Sequence, residues 1–423
     1  MMWAASGSAA RHATAAAVCG AAAWLGWQAI ASTAAMTLAA RDPAAALGWD
    51  ATSPAALVRL AERHLAVGAA DADLTAASDS AKRALAASPL EARSLRLLGL
   101  VANLEGDEGR AARLMTTAGE RSLRDPPTQL WLFASRLGSG DVAGALANAD
   151  HLLRTEPQLA NRLLPTLAAL AGEPAMRADV IALLEREPPW RRWFLTELAR
   201  GDRPAVTFAV LSGLGSGPSP PSEGELAPYL ERLVGDGRYE LAHLTWIHFV
   251  PEAAEAGLDY VTSGGFERPL AAAPFDWGIA RTTGASTAIV ATGDPDRGMA
   301  ARVVFANARV AYRNLVQLMV LPPGSYRLSA LTRANDLVNE RGLAWRVRCA
   351  EGDKQLIAET PLVRGTTGWR RIEATFNVPS GGCRGQWLSL ELAVRVAVEQ
   401  QARGEVWFDD VTITRLAGDP AAG

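Results

Sequence analysis

Between residues 53 and 160 the sequence repeats itself every 34 positions. Asp73, Asp107 and Asp141 are separated by that step, and so are Ala77, Ala111 and Ala145. Gly106 and Gly140 keep it as well, and Pro89 and Pro157 lie two steps apart. A unit of this length holds two short helices and their turns. It cannot bury its own apolar face, so neighbouring units must stack and share one core. The second unit supplies large side chains at Leu95, Leu97, Leu98 and Leu100, a turn at Gly106-Asp107, then Ala111, Leu114 and Met115. The third runs Leu130, Trp131, Leu132 and Phe133, then Gly140-Asp141, then Ala145 and Leu146. Small residues at fixed places let helices approach while the larger ones fill the seam.

This order of large residues, Gly-Asp turn, small alanines and following proline resembles the tetratricopeptide repeat. Later segments read as degenerate hairpins: Gly201-Asp202 follows a helical stretch at 190–200, and Gly237-Arg238-Tyr239 precedes another at 240–249. Between them, 212–224 is rich in Gly, Ser and Pro and reads as a flexible linker. Its glycines do not make a nucleotide loop, because Pro218 follows and no strand–turn–helix frame surrounds them. A stacked array offers an extended face to a protein partner; the alternative is a plain spacer.

No charged residue occurs from 13 to 40. At about 1.5 Å per residue such a helix crosses a hydrocarbon core of about 30 Å. Trp24, Leu25, Trp27 and Ile30 carry most of its hydrophobicity, with Arg11 and His12 before it and Arg41 and Asp42 after it. Arg11 points to a cytoplasmic N-terminus at 1–12, a single-pass inner-membrane anchor and a periplasmic body. A cleaved signal peptide ending at Ala29-Ile30-Ala31 is the alternative. Cys19 is read as a buried neutral thiol rather than a lipidation site, because most of the apolar run follows it. The net charge of −3 implies no polyanionic partner and no nucleic acid. Lys82 and Lys354 are the only lysines, which in an alanine-rich chain reads as coding bias.

Near Asp259 the helical period gives way to alternating, β-branched runs. Strands are expected at 300–305, 315–321, 325–333, 343–349, 355–359, 369–377, 386–393 and 404–415, with a Pro322-Pro323-Gly324 turn. That many short strands make a sandwich or jelly roll. Cys349 and Cys383 both fall here; in an exported domain an even pair reads as one disulfide of about 3 kcal/mol, the alternative being two separate thiols.

Gly264-Gly265-Phe266-Glu267, Phe275-Asp276-Trp277, Trp369-Arg370-Arg371, Phe376-Asn377-Val378-Pro379 and Trp407-Phe408-Asp409-Asp410-Val411 follow one another in an order that resembles the galactose-binding-like sandwich of carbohydrate-binding modules, families 4 and 9. The resemblance implies sugar held by aromatic platforms and polar side chains. On it, Trp345 with Arg346, or Trp277, would stack a pyranose, and Arg333, Asp336, Glu340, Glu399 and Gln400 would bond hydroxyls. Trp369, Trp387 and Trp407 are expected in the core. The resemblance also implies a structural calcium, with Glu267 and Asp410 as ligands. The whole layout, including the stretches at 340–347 and 398–401, resembles bacterial tetratricopeptide-repeat proteins associated with exopolysaccharide production.

Catalysis finds little footing. The histidines at 12, 64, 151, 243 and 248 all precede the sandwich, so no Ser-His-Asp triad forms within it. His243 and His248 are five apart and read as flanking a packed Trp246. Glu340 and Glu399 are the one carboxylate pair worth testing for glycoside hydrolysis. The expected order is therefore an N-terminal helix at 13–40, a repeat-type α-solenoid at 41–258, a jelly-roll β-sandwich at 259–417 and a disordered tail at 418–423. The expected role is a non-catalytic envelope scaffold or glycan-recognition protein, meeting assembly proteins through the helices and polysaccharide through the sandwich. An enzyme trimming envelope polysaccharide and a structural protein without a sugar ligand are the alternatives.

Overall fold

A computed structural model of the chain describes residues 5–66, 73–250, 259–270 and 274–417; the expected tail lies outside them. It divides into two compact units, Met1–Leu163 and Leu164–Gly423. The chain changes from helix to strand where its pattern changes, between 249 and 278, but the later helices belong to the same compact unit as the sandwich.

The first unit opens with helix α1 (Ala5–Ala39), followed by α2 (Pro43–Trp49). Three helical hairpins follow: α3 (Pro54–Ala66) with α4 (Leu74–Ala87), α5 (Ala92–Leu104) with α6 (Glu108–Arg121), and α7 (Pro126–Gly138) with α8 (Val142–Thr155). The 34-residue period now has a physical meaning. Asp73, Asp107 and Asp141 are the N-caps of α4, α6 and α8, and their carboxylates accept the amides of Ala76, Arg110 and Gly144. Gly106 and Gly140 sit just before them at φ +82° and +81°, a left-handed turn that glycine adopts without a Cβ clash. Ala77, Ala111 and Ala145 are fully buried where the second helix of each pair meets its neighbours. Buried Arg96 ties three hairpins together, meeting Glu62 at 2.7 Å and Asp125 at 2.8 Å.

In α1, residues Thr14–Ala39 form one helix long and apolar enough to cross a membrane, with mean hydropathy 1.3. Trp24, Leu25 and Ile30 are exposed on it, and Trp27 lies 6.1 Å from Trp49 of α2. Ala31, Ala35 and Ala39 form a buried stripe; Ala35 and Ala39 pack with Ala46 and Ala56 of α2 and α3. Cys19 is exposed on this span, so among the described residues it is not packed against protein, contrary to a thiol buried within the protein.

Further helices are α9 (Ala160–Gly172), α10 (Pro174–Leu184), α11 (Arg191–Arg200), α12 (Pro204–Gly215), α13 (Glu223–Gly235) and α14 (Tyr239–Phe249). The expected linker at 212–224 is therefore half helix. Gly213 lets Ile181 approach, since a Cβ there would sit 2.5 Å from the isoleucine Cδ1, and Gly215 does the same for Phe249. Ser222 then opens α13 with a capping box to Glu225. These glycines serve close packing rather than flexibility.

The sandwich contains β1 (Gly278–Ile279), β2 (Ala285–Ala291), β3 (Met299–Arg309), β4 (Leu315–Met319), β5 (Gly324–Val338), β6 (Leu343–Cys349), β7 (Leu356–Glu359), β8 (Gly365–Val378), β9 (Gln386–Leu392) and β10 (Gln401–Arg415). All pair antiparallel in two five-stranded sheets: sheet I in the order β1-β4-β9-β6-β7 and sheet II in the order β2-β3-β10-β5-β8. The architecture is thus an α-solenoid followed by a jelly-roll-like β-sandwich. Leu315, Leu343, Trp345, Val347, Leu388 and Leu390 from sheet I meet Val303, Tyr326, Leu328, Ile372, Val406 and Phe408 from sheet II in one core. Cys349, at the end of β6, is disulfide-bonded to Cys383 just before β9. Helix α14 joins this unit through Trp246 and His243, whose rings lie 5.8 and 5.0 Å from that of Phe275.

Candidate functional site on the outer face of sheet II

Alternation decides which side chains of a strand can meet. In β10, Val406 and Phe408 belong to the core, so Glu405 and Trp407 point outward. In β5, Ala330 and Ala334 are core residues, which turns Arg333 out; in β8, Ile372 is a core residue, which turns Arg371 out. In β3, Ala301 and Val303 face inward and Arg302 outward. Register completes the arrangement. Trp407 stands opposite Arg302 on one side and Arg333 on the other. Beyond β5, a register shift after Thr332 sets Arg333 beside Trp369.

The result is a ladder of arginines and tryptophans running across four strands. The guanidinium carbons of Arg302 and Arg333 lie 5.3 and 4.9 Å from the Trp407 ring centroid. Those of Arg333 and Arg297 lie 5.1 and 5.0 Å from the Trp369 centroid. Each contact is of the cation–π kind, worth roughly 0.5–2 kcal/mol according to how far it is withdrawn from water.

Carboxylates fix part of the ladder. Glu405 accepts from Arg302 at 2.5 and 3.0 Å and from the Trp407 indole N–H at 3.3 Å. The hydrogen bond from Arg302 holds its carboxyl below the usual range. Arg297 reaches Asp409 at 3.5 Å, and burial pushes the Asp409 carboxyl up. Arg333 differs. Among the described residues it makes no ion pair and no hydrogen bond, and its half-buried guanidinium lies between the two indoles. Trp407 is buried beneath Arg302 and Arg333 and Trp369 is half-buried, so the face offers guanidinium N–H donors together with the open part of the Trp369 ring.

The residues expected to bind sugar do not form one site. Trp345 and Trp277 are buried core residues with ring centroids 5.3 Å apart, so neither is a platform. Trp277 donates its indole N–H to the Ser263 carbonyl. Arg346 cannot join Trp345, because successive residues of β6 face opposite sides. It sits on the outer face of sheet I with Glu359 and Glu391. Glu391 also meets Arg313 at 3.0 Å and Arg348 at 3.5 Å. Burial alone would raise its carboxyl, but Ser389 and these arginines outweigh that and hold it down.

Asp336, Glu340, Glu399 and Gln400 fall in or beside the turns that follow β5 and precede β10. Glu399 is buried and structural: its carboxylate accepts from Arg341 at 2.9 Å and from the Arg395 amide at 2.7 Å. The Arg341 hydrogen bond lowers its pKa, which is the wrong direction for a glycosidase acid. Asn339 donates to the Glu399 and Gln401 carbonyls, and the Gln400 carbonyl accepts the Val310 amide. Glu340 is exposed and its carbonyl accepts from Arg364, while exposed Asp336 lies 3.5 Å from Arg403. Only Arg333 of the expected set lies on the ladder.

Glu267 accepts the Met299 amide at 2.8 Å, and Asp410 is exposed at φ +46°. Among the described residues no group of three His, Cys, Asp or Glu is arranged to hold a metal.

A scan against protein-family models finds no match, and neither does a search of curated proteins. Among solved structures, one described as "CBM4 structure and function" is 17% identical, covering 37% of this chain and 99% of that one at a TM-score of 0.29. TmCBM61 in complex with beta-1,4-galactotriose is 19% identical, covering 37% and 99% at a TM-score of 0.26. The P58(IPK) TPR domain is 16% identical, covering 46% and 59% at a TM-score of 0.22. At identities and scores this low, the strand pairing and the helical hairpins themselves remain the ground for the fold described above.

Proposed function

We propose that this chain is a non-catalytic, membrane-anchored envelope protein. Its helical pairs, read as tetratricopeptide-like, engage a protein partner. Its sandwich holds a glycan against the outer face of sheet II, in a polysaccharide synthesis or export system. The observation that supports glycan recognition is the ladder Arg302–Trp407–Arg333–Trp369, with its contacts to two indoles. The open part of the Trp369 indole suits the C–H groups of a sugar ring, and guanidinium donors held by the two indoles suit its oxygens.

A glycan array probed with the full chain in detergent tests the reading. Wild type is expected to retain a restricted set of glycans, and Trp407→Ala and Trp369→Ala to lose them while keeping the wild-type far-ultraviolet circular dichroism and a cooperative melt. Wild type retaining no glycan, or folded ladder variants retaining all of them, rejects glycan binding at this face.

A further inference from the structure

Not every arginine on the outer face of sheet II is ion-paired. Three of its arginines have acidic partners: Arg297 with Asp409, Arg302 with Glu405, and Arg327 with Glu373 at 4.0 Å. Two make no ion pair among the described residues, although Arg333 is near enough to Glu405 to help hold its carboxyl down. Arg333 lies between Trp369 and Trp407, and exposed Arg371 donates to the Ser329 hydroxyl at 2.8 Å. Arg371 is two residues beyond Trp369 on the same strand face, about 7 Å along β8. Leu331, opposite Arg371 in the register, places an uncharged, buried side chain beside them. The near-neutral chain as a whole conceals these two arginines that make no ion pair.

A guanidinium held between two rings has its position fixed and most of its N–H donors unspent. That is the geometry that binds a carboxylate through two parallel hydrogen bonds. Stacking restrains the group before the ligand arrives, so less side-chain freedom is lost on binding. A neutral sugar would leave the two guanidinium groups without an ion pair; an anionic one supplies it.

We propose that Arg333 and Arg371 select a carboxylate-bearing sugar, so that the ligand class is an acidic, uronate-containing polysaccharide. This rests on the reading of sheet II as a glycan-binding face. Arg333 would take the carboxylate of one sugar unit, with Trp369 and Trp407 holding its guanidinium in place, and Arg371 would meet the next acidic group along the chain.

Isothermal titration of the full chain in nanodiscs distinguishes this from neutral-glycan binding. The probes are a galacturonate hexamer, its methyl ester, a neutral hexasaccharide, and dextran sulfate as a generic polyanion. Wild type is expected to bind the hexuronate at least tenfold more tightly than the other three, more weakly as salt rises. Arg333→Gln and Arg371→Gln should each lose at least tenfold, with Arg333→Lys recovering part of the loss. Should Arg333→Gln unfold, exposed Arg371→Gln still carries the test. Equal binding of the methyl ester or the neutral hexamer overturns acid selection while leaving glycan recognition standing. Equal binding of dextran sulfate overturns it in favour of unselective charge attraction. Hexuronate binding unchanged by both substitutions overturns the assignment to these residues, and binding of no glycan removes both readings.

Discussion

Trp407 of β10 and Arg333 of β5 stand directly opposite each other, with the guanidinium carbon 4.9 Å from the indole centroid. Arg333 makes no ion pair and no hydrogen bond among the described residues. Trp369 is kept in every variant of the cycle, so its ring contact with Arg333 cancels and the contact with Trp407 should appear as a pairwise energy. A double-mutant cycle of Arg333→Gln and Trp407→Ala, read by urea unfolding, is expected to give a coupling of about 0.5–1 kcal/mol. Strictly additive changes would mean that the two groups share a face without interacting.

Trp345 gives the opposite expectation. It is fully buried, packed on Trp277 and on Phe408, whose ring centroid is 5.4 Å away. Trp345→Ala should cost about 3–5 kcal/mol of stability. Trp387→Ala, at a half-buried position on the outer face of sheet I, should cost under about 2 kcal/mol. Thermal unfolding of both variants checks the order, and equal costs would contradict the assignment of the two residues to different faces.

The turn between α5 and α6 makes a third case. Asp107→Ala removes the cap on the Arg110 amide and should cost about 1 kcal/mol. Gly106→Ala forces a Cβ into a left-handed backbone and should cost a further 1 kcal/mol or so. In a stacked array each unit leans only on its neighbours. Hydrogen exchange is therefore expected to accelerate in α5 and α6 and to stay near wild type in the sandwich.

His243 lies against Trp246 and Phe275, and burial lowers its pKa. The unfolded chain therefore takes up a proton at higher pH than the folded one. The stability associated with neutral His243 is fully present above the unfolded value of about 6.5 and is lost as pH falls through the interval down to the folded pKa. Melting temperatures across pH 4.5–8 should show this loss in wild type and a shallower profile in His243→Phe. The same slope in both would assign the dependence to other groups.

The tryptophans show how far strand patterns could be read. Trp345 falls in step with Leu343, Val347 and Cys349, which is the core parity of β6. Trp407 falls in step with Glu405 and Asp409, and Trp369 with Arg371 and Glu373, so both belong to polar faces. The expectation placed Trp345 on a platform, whereas it is a core residue; Trp407 is buried as expected, although on the outward parity of β10, and Trp369 and Trp387 are only half-buried. Parity was the signal available, and the aromatic character of the residues obscured it. Strand β6 was legible to the residue because its alternation is strong. Strand β2 was missed because the alanines, serine and threonine of ASTAIVA give little contrast between faces.

Local chemistry alone set the helical pairs: a glycine that tolerates a left-handed turn, an aspartate that caps the next helix, and an alanine where helices touch all act within a few residues. It also set the two cysteines among the strands. Which side chains became neighbours across sheet II was decided only by tertiary structure. Arg302, Arg333, Trp369 and Trp407 are contributed by four strands scattered over more than 100 positions, and their meeting depends on strand order, register and a bulge after Thr332. Those arise from burying one shared core, a constraint that acts on the folded chain as a whole.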